Sequence, residues 1–251
     1  MNRLPLAQVT LCAVDCETPA LSALALLQAQ RGIQFGRVLL LTRGWLPTVV
    51  LPRLEVVDIA PLDGPAAVAD FVVRRLHAYV NSSHVLLTRW DAGVLDASAW
   101  NDEFLVPDYL AAPGAPAGAG VPGLSLRSRR WLRAGADPRL PDAPLDDAGL
   151  LGAQRGFLEA AHGVHIAPEP LARRFAAVDR PAPPGRFGFV GAEHLPALLG
   201  EAETLELVQR LPRGFAQAPG AAALAQAMQA QGMTAALQAL QRLGGAVPLD
   251  R

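Results

Sequence analysis

The sequence predicts an α/β protein with a mostly parallel sheet flanked by helices and a short helical extension at its C-terminal end. Three observations carry this prediction. Short, nearly continuous apolar runs recur over the first ninety residues, as expected for strands covered on both faces. Segments with helical composition separate several of these runs. From Glu193 onward the composition changes to Ala, Leu and Gln.

The first ninety residues predict the order strand, helix, strand, strand, helix, strand. For the first helix, Thr18 is the expected cap, Pro19 lies in the first turn and Gly32 marks the end. The second helix has apolar residues at helical spacing. The predicted strands are 9–14, 35–42, 54–59 and 84–90, and the predicted helices are 20–32 and 65–80.

The rest of the chain alternates loops with shorter elements. Residues 111–121 form a low-complexity Ala/Gly/Pro loop, and the further predicted loops are 137–147 and 178–191. We expect a strand leading into a helix at 124–135, a helix at 148–163, a strand running into an irregular segment at 164–176, and two helices broken at Gly232 within 221–245. A boundary near residue 200 separates residues 1–200 from a C-terminal helical hairpin, 201–251.

Composition narrows the class of protein. Of 251 residues, 51% are hydrophobic and 18% charged, which indicates a globular protein and excludes a disordered one. The net charge of −1 gives no overall field that would attract nucleic acid or an anionic membrane. The start lacks a signal-peptide pattern and no apolar run reaches the ~18 residues of a membrane span, so we expect a cytoplasmic protein. Cys12 and Cys16 are expected to be two buried thiols.

Polar residues follow several of the predicted strands. Asp15 follows the first strand, Thr42 and Arg43 end the second, and Arg89 to Asp91 end the fourth. Ligands of open α/β sheets bind beyond the carboxyl ends of the strands. These residues are therefore candidates for a binding site by position.

The run "SSHVLLTRWDAGVLDASAWNDEFLVPDYLAAP", followed by "GVPGLSLRSRR", resembles a glycosyltransferase-like family catalogued as domain of unknown function 5672. That family shows Gln-aromatic-Asp-Gly, Asn-Pro-x-x-Trp, an acidic-acidic-Phe-Leu helix, Asp-Tyr-Ile-Gly-Ala-Pro and Gly-Asn-Gly-Gly-Phe-Ser-Leu-Arg-Ser. Weaker likeness extends the match to residues 8–191. The matching residues are Trp90, Asp91, Trp100, Asp102, Glu103, Phe104, Leu105, Asp108, Tyr109, Ala112, Pro113, Gly120, Gly123, Ser125, Leu126, Arg127 and Ser128.

The resemblance implies a GT-A type, Rossmann-like fold that transfers a sugar from a nucleotide-sugar donor to an acceptor hydroxyl. In that chemistry an aspartate at a strand end, here Asp91, helps to hold Mn²⁺ or Mg²⁺ on the donor diphosphate. A second carboxylate, Asp146 or Asp147, is expected to take the proton of the acceptor hydroxyl. The candidates for donor binding are Asp15, Arg43, Arg89, Asp91, Ser125 and Arg127.

This chain departs from the family where the chemistry is expected. Arg89 replaces Gln, Ala92 is inserted before Gly93, and Val121-Pro122 replaces Asn-Gly in the glycine-rich loop. The Phe-His-Gly of the family has become Phe-Val-Gly, with Val190 in place of the histidine. The imidazole ligand that the resemblance implies is therefore missing from this chain.

Two hypotheses from different classes follow. In the first, the protein remains a glycosyltransferase in which Arg89, with Arg127 or Arg43, replaces the cation, because a guanidinium binds phosphate through a fork of donors. In the second, the fold persists as a non-catalytic binding or scaffolding partner.

Structural alternatives exist for several of these residues. Asp91 could be a turn residue, and the Asp146-Asp147 pair could be a helix cap. Trp90 and Trp100 could stack on a base or sugar ring, or pack in the core. The C-terminal helices are expected to dock on the rest of the chain, with a protein partner as the alternative.

Overall fold

Two sheets form the framework of the chain in a computed structural model that describes residues 3–48, 51–113, 123–178 and 182–244. The strands among these residues are β1 Leu4–Val14, β2 Ile33–Thr42, β3 Leu54–Asp58, β4 His84–Thr88, β5 Ala92–Val94, β6 Tyr109–Ala111, β7 Leu124–Ser128, β8 Ala176–Ala177 and β9 Gly188–Val190. The α-helices are α1 Pro19–Ala29, α2 Gly64–Arg74, α3 Arg129–Gly135, α4 Asp147–Leu151, α5 Arg155–His162, α6 Glu169–Phe175, α7 Leu195–Arg210, α8 Pro219–Ala230 and α9 Thr234–Gly244.

The larger sheet has six strands in the order β3-β2-β1-β4-β7-β6. Strands β1 to β4 are parallel, whereas β7 runs antiparallel to both β4 and β6. The smaller sheet has the order β5-β9-β8 and lies beyond the end of β4. The sequence-based prediction of a mostly parallel α/β sheet flanked by helices is confirmed.

Alternating side chains of the large sheet face two different apolar clusters. On β1, Leu11 packs on the side of α1 and α6, whereas Cys12 packs on the side of α2 and α3. Both side chains are fully buried. The sheet is thus covered on both faces, as the nearly continuous apolar strands predict.

A third apolar cluster joins the C-terminal helices to the first part of the chain. Leu207 of α7, Leu224 of α8 and Leu240 of α9 are buried in it together with Leu21 of α1 and Phe189 of β9. The expectation that these helices dock within the molecule is met by these contacts. The division at residue 200 stays a prediction; Gly200 has non-helical torsion angles inside α7 (φ 74°, ψ 175°).

Several local predictions are confirmed. The four parallel strands, the first two helices and the strand-to-helix connection at 124–135 are present. The break between α8 and α9 falls at Gly232, whose φ of +69° favours glycine. Residues 114–121 of the predicted Ala/Gly/Pro loop, and Pro122 after it, lie outside the described residues.

Other local predictions are wrong. Residues 148–163 form two helices, since Gly152 has a non-helical ψ of −95°. The segment 164–176 makes an isolated bridge at Ile166 and then forms α6. Proline in the first turn of a helix is compatible with helical backbone, which is why the prolines near Glu169 do not prevent α6. The predicted loop 178–191 contains β9, and α7 was not predicted.

Candidate functional site

The carboxyl ends of the parallel strands bring several predicted residues to one edge of the sheet. Val14, Thr42 and Thr88 end β1, β2 and β4, so Asp15, Arg43 and Arg89 follow at the same edge. Strand β7 begins there as well, and the backbone N–H of Arg89 donates to the carbonyl of Gly123 at 3.1 Å. The topology therefore places Asp15, Arg43 and Arg89 at one edge of the sheet, and their role in binding stays a prediction.

Arg89 and Asp91 form a two-pronged ion pair at this edge. The guanidinium donates from Nε to Asp91 Oδ1 at 3.0 Å and from Nη2 to Oδ2 at 2.6 Å. The Arg89 side chain is 47% exposed and that of Asp91 19%. Both oxygens of Asp91 thus face a permanent positive charge, and the arginine fork keeps a fixed orientation.

A tight turn after β4 creates this arrangement. Thr88 Oγ1 donates to the carbonyl of Ala92 at 2.9 Å, and the N–H of Ala92 donates to the carbonyl of Arg89 at 3.3 Å. The turn brings side chains two residues apart onto the same side of the chain. The local sequence Arg-Trp-Asp-Ala therefore positions the ion pair.

Val190, where the resemblance implies a histidine, lies on the strand next to the turn that carries Asp91. Val190 of β9 pairs with Ala92 of β5, and the N–H of Gly191 donates to the carbonyl of Asp91 at 2.8 Å. An alkyl side chain provides no metal ligand at this position.

The donor set around Asp91 does not fit a divalent cation. Mg²⁺ and Mn²⁺ prefer about six oxygen ligands or water molecules arranged around carboxylates, whereas both oxygens of Asp91 engage Arg89. Within the described ranges, no group of three or more His, Cys, Asp or Glu residues is placed to hold a metal ion.

Asp15 has a structural role at the start of α1. Its carboxylate accepts hydrogen bonds from the N–H groups of Glu17 and Thr18 at 2.9 and 2.7 Å. It also accepts from the hydroxyls of Thr18 and Ser22 at 2.9 and 2.6 Å. Thr18 is the N-cap residue of α1, as predicted, but its side chain makes no cap hydrogen bond, and its hydroxyl donates to Asp15 instead.

Arg43 lies in an exposed pair at the end of β2. Its Nη1 is 3.4 Å from Asp58 Oδ2, and Asp58 Oδ1 accepts from the N–H of Gly44 at 2.7 Å. Both side chains are more than half exposed. Such a pair contributes little to stability and leaves the guanidinium accessible from solvent.

Three further predicted residues form one buried polar cluster with Tyr109. Arg127 donates from Nε to Ser125 Oγ at 3.0 Å and from Nη2 to Asp147 Oδ2 at 2.6 Å. The Tyr109 hydroxyl donates to the same Asp147 oxygen at 3.0 Å. Arg127 is fully buried, because its strand β7 lies between β4 and β6 and its face is covered by α3 and α4.

Burial controls the protonation of this cluster. Loss of solvation raises the pKa of Asp147, against the opposing effect of the Arg127 charge. Burial, with the neighbouring Asp147 carboxylate, also raises the pKa of Tyr109 well above its usual range. The cluster thus belongs to the core of the fold, away from solvent.

The two candidate bases have different environments. Asp146 is the N-cap of α4 and accepts from the N–H of Gly149 through Oδ1 at 2.8 Å, with its side chain only partly buried. Asp147 is 4% exposed. Of the two, Asp146 has the access to solvent that a base for an acceptor hydroxyl requires.

Trp90 and Trp100 pack against aromatic side chains. The Trp90 ring is 5.4 Å from that of Phe215 in an edge-to-face arrangement, and Trp100 is 5.0 Å from Phe187. Trp100 therefore belongs to an aromatic core. Tyr109 is the residue of the polar cluster to which the sequence assigned no role, although it lies in the matching Asp-Tyr motif.

No helix among the described ranges combines the length and the apolar character needed to cross a membrane. Comparison of the chain with protein-family models found no matching family, and comparison with curated proteins found no matching relative.

Proposed function

We propose that this chain is a glycosyltransferase-like protein that binds the diphosphate of a nucleotide-sugar donor at the carboxyl edge of its sheet, with Arg89 in place of a divalent cation. The observation that carries the proposal is the two-pronged Arg89–Asp91 ion pair, at the strand end where the resembling family has its metal-binding aspartate. Asp91 then positions the arginine and does not hold a metal.

Charge and exposure support this role for Arg89. A guanidinium keeps its positive charge at any relevant pH and is suited to phosphate groups, and Asp91 accepts hydrogen bonds from the Nε and Nη2 groups of Arg89. The side chain is 47% exposed, so a diphosphate can approach it from solvent. Arg43 follows the second strand at the same edge and is 56% exposed. Two arginines at one edge suit a dianionic or trianionic diphosphate.

In the proposed reaction Asp146 acts as the base. It takes the proton of the acceptor hydroxyl while the acceptor oxygen forms a bond to the anomeric carbon of the sugar. The bond from that carbon to the diphosphate oxygen breaks, and the nucleoside diphosphate leaves with the electron pair. Arg89 offsets the negative charge that develops on the leaving group.

Calorimetry with a panel of nucleoside diphosphates and their sugars tests the binding step. We expect binding in EDTA, with no gain on addition of Mn²⁺, and a loss of about tenfold or more for Arg89→Gln, as for a hydrogen bond to a charged group. Arg155→Gln is the control, since Arg155 lies in an exposed pair with Glu159 on α5. If no ligand gives heat of binding, with or without Mn²⁺, the proposal is contradicted.

A second variant restores the family residues. Arg89→Gln combined with Val190→His returns an imidazole to the strand position paired with Ala92, next to the turn that carries Asp91, and removes the competing guanidinium. We expect this double variant to bind the diphosphate only in the presence of Mn²⁺. Binding by the double variant in EDTA as strong as that of the natural protein would contradict the assigned role of Arg89.

A non-catalytic binding partner is the second candidate function. It is favoured by the partners that Asp15, Arg127 and Asp147 have within the fold. Release of nucleoside diphosphate from a bound donor, with water as the acceptor, separates the two candidates. If the natural protein releases nucleoside diphosphate and Asp146→Asn binds the donor without releasing it, the result supports the enzyme. If the natural protein binds the donor without any release, the result supports the non-catalytic partner.

A further inference from the structure

A cavity of about 140 Å³ lies between α1 and α7. We call it the α1–α7 cavity. Gly200 interrupts α7 here with non-helical torsion angles, so the helix is kinked between two residues that line the cavity, Leu199 and Glu203. A helix kinked in this way does not pack on its neighbour along one continuous ridge, which leaves space between the two helices.

The walls of the α1–α7 cavity are mostly apolar. Ala25 of α1 and Ala92 of β5 line it with small, buried side chains. The larger apolar side chains of the lining are Leu24, Leu27, Trp90, Leu195, Leu199 and Leu207. Because Leu24, Leu27 and Leu199 are only partly buried, a small molecule can reach the cavity from solvent.

The polar side chains of the lining already have partners within the protein. Arg31 Nη2 donates to Glu203 Oε1 at 2.6 Å, and Arg210 Nη2 donates to Glu206 Oε1 at 2.6 Å. The side-chain amide of Gln28 donates to a backbone carbonyl of β5 at 3.0 Å. Each carboxylate is thus balanced by a guanidinium, so the lining selects neither a cation nor an anion. A charged ligand would lose hydration here without gaining a partner.

The volume of the cavity limits the size of its ligand. An engineered apolar cavity of about 150 Å³ in another protein stays free of water and binds benzene. The α1–α7 cavity has nearly the same volume, so it fits one aromatic ring. Binding would remove the apolar surface of the ring and of the partly buried leucines from water, which is the favourable contribution to the free energy of binding.

We propose that the α1–α7 cavity binds a neutral, apolar molecule of the size of one aromatic ring, such as toluene. The ring packs against Trp90 and the leucine side chains, without an ion pair. Trp90 and Ala92 flank Asp91 in the sequence, so the ligand touches the turn that carries Arg89 and Asp91. This site is separate from the donor site proposed at Arg89, and its test does not depend on that proposal.

Titration of the ¹⁵N-labelled full chain with toluene tests the site, with phenol as a ligand of the same shape that carries a hydroxyl group. We expect the indole N–H signal of Trp90, assigned with Trp90→Phe, to move on titration, while that of the core residue Trp131 stays in place. Toluene should bind about tenfold or more tightly than phenol, because the polar groups of the lining are already engaged. No shift of the Trp90 signal, or equal affinity for toluene and phenol, overturns the proposal.

Two variants locate the ligand. Ala25→Leu fills the cavity and should abolish binding of toluene, with an unchanged circular dichroism spectrum. Leu199→Ala enlarges the cavity, so the affinity for the larger ligand p-xylene relative to toluene should rise about threefold or more.

Leu198→Ala is the matched control for Leu199→Ala. Leu198 precedes Leu199 on α7 and is also partly buried in the third apolar cluster, but it lies outside the lining of the cavity. Its replacement should leave the relative affinity for p-xylene and toluene unchanged. If Ala25→Leu alters the circular dichroism spectrum, the comparison of the two leucine variants decides. Toluene binding retained in a folded Ala25→Leu protein, or the same relative affinity in both leucine variants, also overturns the proposal.

Discussion

The Arg127–Asp147 pair shows how burial decides the role of a charged residue. Both side chains lie almost completely out of solvent, with Nη2 and Oδ2 2.6 Å apart. Arg127 Nη1 and Asp147 Oδ1 are buried without a hydrogen-bond partner among the described residues. Transfer of two charges from water into the core costs more free energy than a single ion-pair contact readily recovers. The buried pair itself is therefore unfavourable for the stability of the fold. Removing only one of its two charges is more unfavourable still.

We expect Arg127→Met to destabilise the fold by about 3–5 kcal/mol, because it leaves the Asp147 carboxylate buried without its cation. Arg155→Met is the matched control and should cost less than ~1 kcal/mol, since the Arg155–Glu159 pair is exposed. Urea unfolding measures both changes. The double variant Arg127→Met with Asp147→Leu should regain much of the lost free energy of unfolding. Equal, small losses for Arg127→Met and Arg155→Met would contradict this account.

The two thiols differ in burial, which corrects the expectation that both are buried. Cys12 is fully buried, and burial raises its pKa to about 12. Cys16 is only partly buried. We expect a thiol reagent to label Cys16 in the native protein and to reach Cys12 only in denaturant. Equal labelling rates in the native protein would show that this part of the core opens readily.

The raised pKa of Cys12 also predicts a dependence of stability on pH. The folded state favours the neutral thiol, so its stabilising contribution is fully present below the usual pKa of 9.0. It is lost as the pH rises from 9.0 toward about 12, because the unfolded chain then gives up the proton more readily. Unfolding of the natural protein and of Cys12→Ala over this range measures the effect, and parallel curves would contradict it.

At the scale of elements, the turn after β4 depends on close contact between β5, β7 and β9. A Cβ atom on Gly123 would lie 2.8 Å from Val190 Cγ1 and 3.2 Å from Ala92 Cβ. The glycine therefore allows β7 to begin directly against the small sheet. This contact fixes the position of Asp91 relative to the large sheet.

We expect Gly123→Ala to destabilise the protein by about 1–3 kcal/mol, the usual cost of an overpacked site. Because the nearest atoms belong to the Val190 side chain, addition of Val190→Ala should recover most of the loss. Thermal unfolding of the single and double variants measures this. A double variant less stable than Gly123→Ala alone would show that the contact with Val190 is not the cause.

The sequence predicted elements where periodicity and local breakers agree. The parallel strands are continuous apolar runs, and Gly232 separates two Ala/Leu-rich helices. The sequence-based prediction failed where tertiary contacts set the structure, because β9 has only three residues and pairs with β5, which lies far earlier in the chain. Local patterns of composition do not contain such a pairing.

The candidate site was predictable only in part for the same reason. The rule on strand ends placed Asp15, Arg43 and Arg89 at one edge. The sequence did not show that Asp15 would bind the first turn of α1 or that Asp147 would face Arg127 inside the core. Hydrogen-bond partners depend on packing between elements distant in the chain.

At the scale of the whole molecule, the C-terminal helices cover part of the first two hundred residues. The side chains of the first part that are buried in this contact are Leu21, Phe189 and Ala192, together with Leu195 at the start of α7. Burial of a leucine or phenylalanine side chain contributes about 1.5–3 kcal/mol. Intramolecular docking of these helices is therefore expected to be part of the stability of the fold.

A chain that ends at Gly200 exposes this surface. We expect it to aggregate or to bind a hydrophobic dye, and to unfold at a lower temperature than the full chain. Size-exclusion chromatography, dye binding and thermal unfolding measure these properties. A shortened chain that stays monomeric and folded with an unchanged unfolding temperature would leave the helices available for a protein partner.

The central claim, that Arg89 takes the place of a cation on a donor diphosphate, is tested most directly by a crystal structure. Crystals soaked with uridine diphosphate and Mn²⁺, with diffraction recorded at the manganese edge, would locate both groups. The account predicts diphosphate oxygens within hydrogen-bonding distance of Arg89 and no manganese signal at Asp91. Manganese bound to Asp91, or a diphosphate held elsewhere on the protein, would contradict it.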